Sequence, residues 1–183
     1  MPLSSTKNVI RLGIFIGLIV IRIVLGIRNT TLANLLLQNL VLTIGLGIGF
    51  VMPELDHWLY ALMCNPQELA CMRVKGEMAA GRFRSAWTML QETKGERTKL
   101  PVHNALTGLI VAVMGLWLVT SLGNLLAEGL VFGLSINLLS DYWWDADHAK
   151  WYWLIARPIT ATEDKIVKWV WTGLVVIQLL VML

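Results

Sequence analysis

Charge is what this chain has least of. Only 15% of its 183 residues are Asp, Glu, Lys or Arg, while 56% are hydrophobic; globular domains average about 25% and about 45–50%. A shortage this deep excludes an ordinary soluble domain. Cysteine is scarce as well. Cys64 and Cys71 are the only two, and their spacing fits neither a CxxC redox pair nor a zinc knuckle. They read as reduced packing residues at a membrane edge. No small-x-small cleavage site follows the first apolar stretch, and Arg22 interrupts it. That stretch therefore reads as a retained first span rather than a cleaved signal peptide. Charges are nearly absent from the middle of the apolar runs, apart from Arg22 and Glu128, which argues against the ion path of a transporter or channel subunit. A net charge of +3 would suit a nucleic-acid binder. The cations flank apolar runs instead of forming one basic patch, so no nucleic acid is expected.

What is present is apolar length. Mean hydropathy is +0.65, and runs of about 20 apolar residues are long enough to cross a bilayer as helices. The expected fold is an all-α, polytopic membrane bundle of about five transmembrane helices, at 9–27, 31–52, 104–122, 124–140 and 164–183. They form one integral membrane domain over 1–183. Arg28-Asn29-Thr30 and Gly123-Asn124 supply the tight turns. Between the second and third spans lies an insertion, 65–99. Asn65-Pro66-Gln67-Glu68 reads as a helix start. Leu69, Met72, Ala79, Phe83, Trp87 and Leu90 then recur at helical spacing, with Arg73, Arg82 and Arg84 elsewhere on the wheel. This predicts a cytoplasmic amphipathic, interfacial helix facing anionic headgroups, divided in two where Gly76 and Gly81 weaken it.

Basic residues set the expected orientation. With the N-terminus cytoplasmic, thirteen of the 15 Lys and Arg fall inside: Lys7, Arg11, seven within 73–99, then Lys150, Arg157, Lys165 and Lys168. The reading is a cell (inner) membrane protein with its C-terminus outside. Trp58, Tyr60, Tyr142, Trp143, Trp144, Trp151, Tyr152, Trp153 and Trp169 map to the same interface, as a belt of aromatic anchors does. Gly13-x-x-x-Gly17, Gly45-x-x-x-Gly49 and Gly129-x-x-x-Gly133 each put two small residues on one helix face. They allow close helix approach, within a bundle or a homo-oligomer, without specifying either. Arg22 and Glu128, at matched depth, are expected to pair.

Histidine is also scarce, and its placement is informative. His57, His103 and His148 all fall on the expected cytoplasmic side. His103 follows Pro101 at the start of a span, where the helix dipole favours neutral, metal-binding imidazole. Glu54-Leu55-Asp56-His57 and Asp145-Ala146-Asp147-His148 repeat one acid-x-Asp-His pattern, each beyond an inward-running span. Mixed imidazole and carboxylate donors suit zinc, iron or manganese. Such a divalent transition metal could activate water for hydrolysis. The same residues could equally be helix caps in water.

The order of motifs resembles the YdjM-type family of inner-membrane metal-dependent hydrolases. That family carries a Pro-Asp-x-Asp-His signature, a later His-Arg-x-x-Thr-His-Ser segment and a Ser-His-x-x-x-Asp motif. Pro53-Glu54-Leu55-Asp56-His57 is similar to the first, with Glu for Asp. Thr98-Lys99-Leu100-Pro101-Val102-His103-Asn104 aligns with the second and keeps its later His. Ile136-Asn137-Leu138-Leu139-Ser140-Asp141 aligns with the third, with Asn137 in place of His and Asp141 retained. The resemblance spans roughly 40–160. It implies a metal held by Asp56, His57, His103 and Asp141, with Glu54 a ligand or general base. Because Thr98 and Asn137 replace two imidazoles, it also leaves a place for Asp145 as base and for Asp147 or His148 as ligand. The expected function is a membrane-bound, metal-dependent hydrolase acting on a lipid or phosphoester at the cytoplasmic interface. The rival is a non-catalytic relative that binds membrane lipids or a partner through 65–99.

Overall fold

The computed structural model describes residues 2–27, 30–63, 69–92, 100–121 and 123–183, with the backbone alone at 2–7, 57–63, 69–70 and 91. The chain is an all-helical bundle: α1 (Pro2–Gly26), α2 (Leu32–Met63), α3 (Leu69–Ala79), α4 (Phe83–Glu92), α5 (Ala105–Ser121), α6 (Leu125–Trp144) and α7 (Ala161–Met182), with a short 3₁₀ turn at His148–Tyr152. Among the described residues, four segments are long and apolar enough to cross a membrane: Asn8–Gly26, Leu32–Asp56, Leu125–Trp144 and Ala161–Met182. The apolar α5 has 17 residues, the lower end of the spanning range.

Glycine sets the arrangement of α2 and α6. A Cβ on Gly45 would lie 2.2 Å from the Leu126 carbonyl oxygen, and one on Gly49 would lie 2.0 Å from that of Leu130. From the other side, a Cβ on Gly129 would come within 2.4 Å of the Leu42 oxygen, and on Gly133 within 2.5 Å of that of Leu46. Two small-x-x-x-small motifs therefore meet backbone to backbone. Because the contacts advance together along both chains, α2 and α6 run parallel. The third motif behaves differently, since nothing lies within 4 Å of a Cβ at Gly13 or Gly17. Across the bundle, Gly108 accommodates the ring of Trp171, and Gly115 packs on Gln178, which donates to the Ala112 carbonyl. This pairing makes α5 and α7 parallel.

The helices thus alternate in direction. The C-terminal ends of α2 and α6 and the N-terminal ends of α1, α5 and α7 gather at one end of the bundle. At the other end Arg22 donates to the Met182 carbonyl, with buried Glu128 in its electrostatic range.

Two features differ from the sequence reading, the end of α2 and the state of Cys71. α2 does not stop at Met52; it continues through Pro53 to Met63, so Glu54 and Asp56 lie on the helix itself. Pro53 lacks the N–H that would bond the Gly49 carbonyl, and beside this gap the Phe50 carbonyl accepts Asn137 Nδ2 at 2.6 Å. Within the 65–99 insertion the described residues form two helices, α3 and α4, divided at Gly81 (φ +73°), one of the two glycines expected to weaken it, and they close on Val74, Ala86 and Leu90. The helix start read at Asn65–Glu68 lies outside the described residues. Finally, Cys71 is buried and disulfide-bonded, not a reduced packing thiol; Cys64 is outside the described residues.

Candidate functional site

The shared end of α2, α5 and α6 holds a buried polar cluster. Asp56, on the last turn of the α2 span, is fully buried. Its Oδ2 accepts the backbone N–H of Val102 at 2.9 Å and of His103 at 3.0 Å, and lies 3.1 Å from His103 Nδ1. Its Oδ1 is buried with no hydrogen-bond partner among the described residues. A carboxylate oxygen that already accepts two amides takes a donor from the ring, which puts a proton on Nδ1 and leaves Nε2 facing Asp141.

Local sequence aims those amides. Asn104 caps α5: its Oδ1 accepts the Thr107 N–H at 2.8 Å, and its Nδ2 donates to Thr107 Oγ1 and to the Pro101 carbonyl. The turn through Pro101 is thereby closed, and Trp153 Nε1 donates to the preceding Leu100 carbonyl at 3.2 Å.

On the far side of the ring, His103 Nε2 lies 3.9 Å from Asp141 Oδ2. The other oxygen, Asp141 Oδ1, is 2.8 Å from Arg11 Nη2. Arg11 reaches in from α1, where it is 5% exposed. Its Nε donates to Ser140 Oγ and its Nη2 to the Asn137 carbonyl at 3.0 Å, with the guanidinium 5.5 Å from the Phe50 ring centroid. A chain of contacts therefore runs Asp56–His103–Asp141–Arg11, from α2 through the turn before α5 to α6 and α1. Sequence reasoning assigned Arg11 to the membrane flank and missed it as a site residue. The available signal was a cation within the first apolar run, which needs a partner there.

The remaining candidates fall in other places. Glu54 is half-buried on α2. His57 belongs to α2, its side chain outside the described residues, and Thr98 lies outside them altogether. Asn137 ties α6 to the Phe50 carbonyl, while its own Oδ1 is buried and unpartnered. Asp145 holds Lys150 at 2.7 Å and Trp151 Nε1 at 3.0 Å. Asp147 caps the 3₁₀ turn through the Ala149 N–H.

His148 belongs to a second cluster. Its Nδ1 is 2.8 Å from Asp164 Oδ2, and Asp164 Oδ1 accepts from both Tyr142 (2.5 Å) and Tyr152 (2.9 Å). The Tyr142 ring stacks on His148 and meets Trp151 edge-on, and Trp151 in turn is 6.0 Å from His103. Aromatic rings thus stand between the two clusters, and the acid-x-Asp-His echo serves two different networks.

Burial, with help from the Asp164 carboxylate, pushes the Tyr152 phenol up from 10.0 to about 12. A proton held more tightly in the folded state stabilises it fully below pH 10, and that contribution is lost as pH rises through about 12. Ultraviolet phenolate titration of the folded protein, subtracting a Tyr152→Phe variant, is expected to show Tyr152 ionising near pH 12 instead of near 10.

The fold and cluster define a polytopic helical membrane protein with a buried carboxylate–imidazole relay at one end. No family model, curated protein or solved structure matches the chain.

Proposed function

We propose that this chain is a membrane-bound, metal-dependent hydrolase of YdjM type, with its site formed by Asp56, His103 and Asp141. The observation that carries the reading is the His103 ring, fixed at Nδ1 by a buried carboxylate and directed at a second carboxylate through Nε2. Metal-binding histidines are commonly held this way, with the outer carboxylate setting tautomer and orientation. Donors at about 2.0–2.2 Å from one tetrahedral ion lie about 3.3–3.6 Å apart, so the 3.9 Å gap has to close by a few tenths of an ångström to hold one. Among the described residues no group of three His, Cys, Asp or Glu side chains forms a complete metal set. The residues fit as a pair of donors, His103 Nε2 and Asp141 Oδ2; the resemblance adds His57, whose side chain lies outside the described residues.

In this scheme Asp56 is a positioning residue, not a ligand. Asp141 divides its oxygens between the metal position and Arg11, which fixes its orientation. Glu54, two residues from Asp56, is the candidate base that takes a proton from water. When bound, zinc, manganese or iron supplies a lowered water pKa at neutral pH. The site adjoins the end of a membrane span, which supports an amphiphilic ester or phosphoester as substrate. Purified protein is expected to hydrolyse such a substrate, to stop on chelation and to restart on adding metal. A His103→Ala variant that hydrolyses as fast as wild type would sink the reading.

The charge distribution supports a cytoplasmic N-terminus in a cell membrane and a site at the cytoplasmic face. Against this stands the Cys71 disulfide, a bond that persists in oxidising compartments. Thirteen cations are the stronger determinant. The orientation predicts that a reporter fused after Leu183 is reached by impermeant reagents in intact cells and one fused before Met1 is not.

A second reading, a non-catalytic bundle, is favoured by Asn137. Where the resembled family has an imidazole, this side chain cross-links α6 to α2. That reading predicts full stability and lipid association with no metal and no turnover.

A further inference from the structure

Helix α1 touches the bundle along a narrow seam, centred on buried Arg11 and Leu18. Between α1, α6 and α7 it leaves an open apolar cleft of about 380 Å³, a volume typical of small-ligand sites. Ile10, Ile14, Phe132 and Val176 are among its walls, and Ser140 and Trp143 line it as well. Ser140 is the residue that accepts from Arg11 Nε. Arg11 Nη2 is engaged by Asn137 and Asp141, and Nη1 takes part in none of these contacts. Lys168 Nζ sits 3.7 Å over the Trp143 ring, so a second cation stands beside the same cleft.

An open apolar cleft in the side of a membrane bundle, with a buried guanidinium behind Ser140, matches one kind of molecule. We infer that the cleft receives an acyl chain of an anionic lipid phosphate, whose phosphate is met by Arg11 Nη1. The bilayer supplies the chain sideways, without desolvating it. The guanidinium provides a planar donor suited to phosphate oxygens. A phosphate at Arg11 stands next to Asp141 and hence to His103. This inference rests on the proposed hydrolase reading for its consequence, since it names the substrate class. The binding itself needs neither metal nor turnover.

The test uses full-length protein in zwitterionic nanodiscs containing chelator, with dioleoyl phosphatidic acid as probe and native mass spectrometry as readout. Saturable binding of phosphatidic acid is expected, with dioleoylglycerol and phosphatidylcholine at least tenfold weaker and millimolar inorganic phosphate unable to displace it. Arg11→Gln should weaken binding about tenfold or more by removing the cation. Val176→Trp should do so by filling the cleft from an exposed position that tolerates a larger side chain. Equal binding of phosphatidylcholine, or undiminished binding by both Arg11→Gln and Val176→Trp, overturns the inference. Saturable binding that depends on Arg11 and the cleft, without phosphate release once metal is restored, upholds it and counts against the hydrolase reading alone.

Discussion

Gly49→Leu is expected to dismantle the bundle. At Gly49 even a methyl group would meet a backbone oxygen at 2.0 Å, and a backbone cannot rotate away as a side-chain tip can. Inserting side-chain volume into a closed contact costs typically about 1–3 kcal/mol. Here the same displacement also separates the Asn137–Phe50 bond one turn further along, so the loss belongs at or above the top of that range. Thermal unfolding in detergent should show a large fall in midpoint, or no folded protein. Gly13→Leu is the matched control. It also enlarges one glycine of a small-x-x-x-small motif, but in open space, and it should shift the midpoint little. Equal effects at the two positions would contradict the parallel α2–α6 contact.

Asp56→Ala carries the second large effect, and it links the fold to the chemistry. The change removes the acceptor of two backbone amides and of the His103 ring from a fully buried position. Breaking a buried pair by deleting one partner costs about 3–5 kcal/mol. The turn before α5 loses the contact that ties it to α2. His103 also loses the hydrogen bond that fixes its tautomer, a kind of change that lowers metal affinity or activity by about 10–100-fold. Asp56→Asn should fall between the two, since its amide oxygen can still accept from Val102 and His103 N–H. The measurements are unfolding midpoint and metal retention in parallel. An alanine variant as stable and as metal-loaded as wild type would remove Asp56 from the site.

The residues announced the bundle more plainly than they announced the site. Apolar run length located the spanning helices to within a few residues, because lipid fixes how long such a run must be. The two interacting glycine motifs are visible in the sequence, but so is Gly13-x-x-x-Gly17, which contacts nothing. Spacing shows that a face is smooth, and only topology shows what meets it. Pro53 read as the end of α2 because proline breaks the helical ladder. The helix passes through it, with the Asn137 amide bonding the adjacent Phe50 carbonyl from α6.

For the site, alternation of span direction was enough to bring Asp56, His103 and Asp141 to one end. Which of them touch was not legible. His148 shares that end and the acid-x-Asp-His pattern, yet Tyr142 and Trp151 stand between it and His103. Arg11 escaped notice because a cation near a chain terminus is ordinarily a topology signal. Its function as the Asp141 partner depends on α1 lying against α6, a contact that no local pattern encodes.

The central claim is that His103 and Asp141 hold a metal, and elemental analysis of protein purified in mild detergent tests it most directly. The account predicts close to one zinc, manganese or iron per chain in the wild type, and little in His103→Ala prepared alongside it in folded form. Wild-type protein without stoichiometric transition metal after purification in its presence, or a His103→Ala variant carrying as much as the wild type, would contradict it.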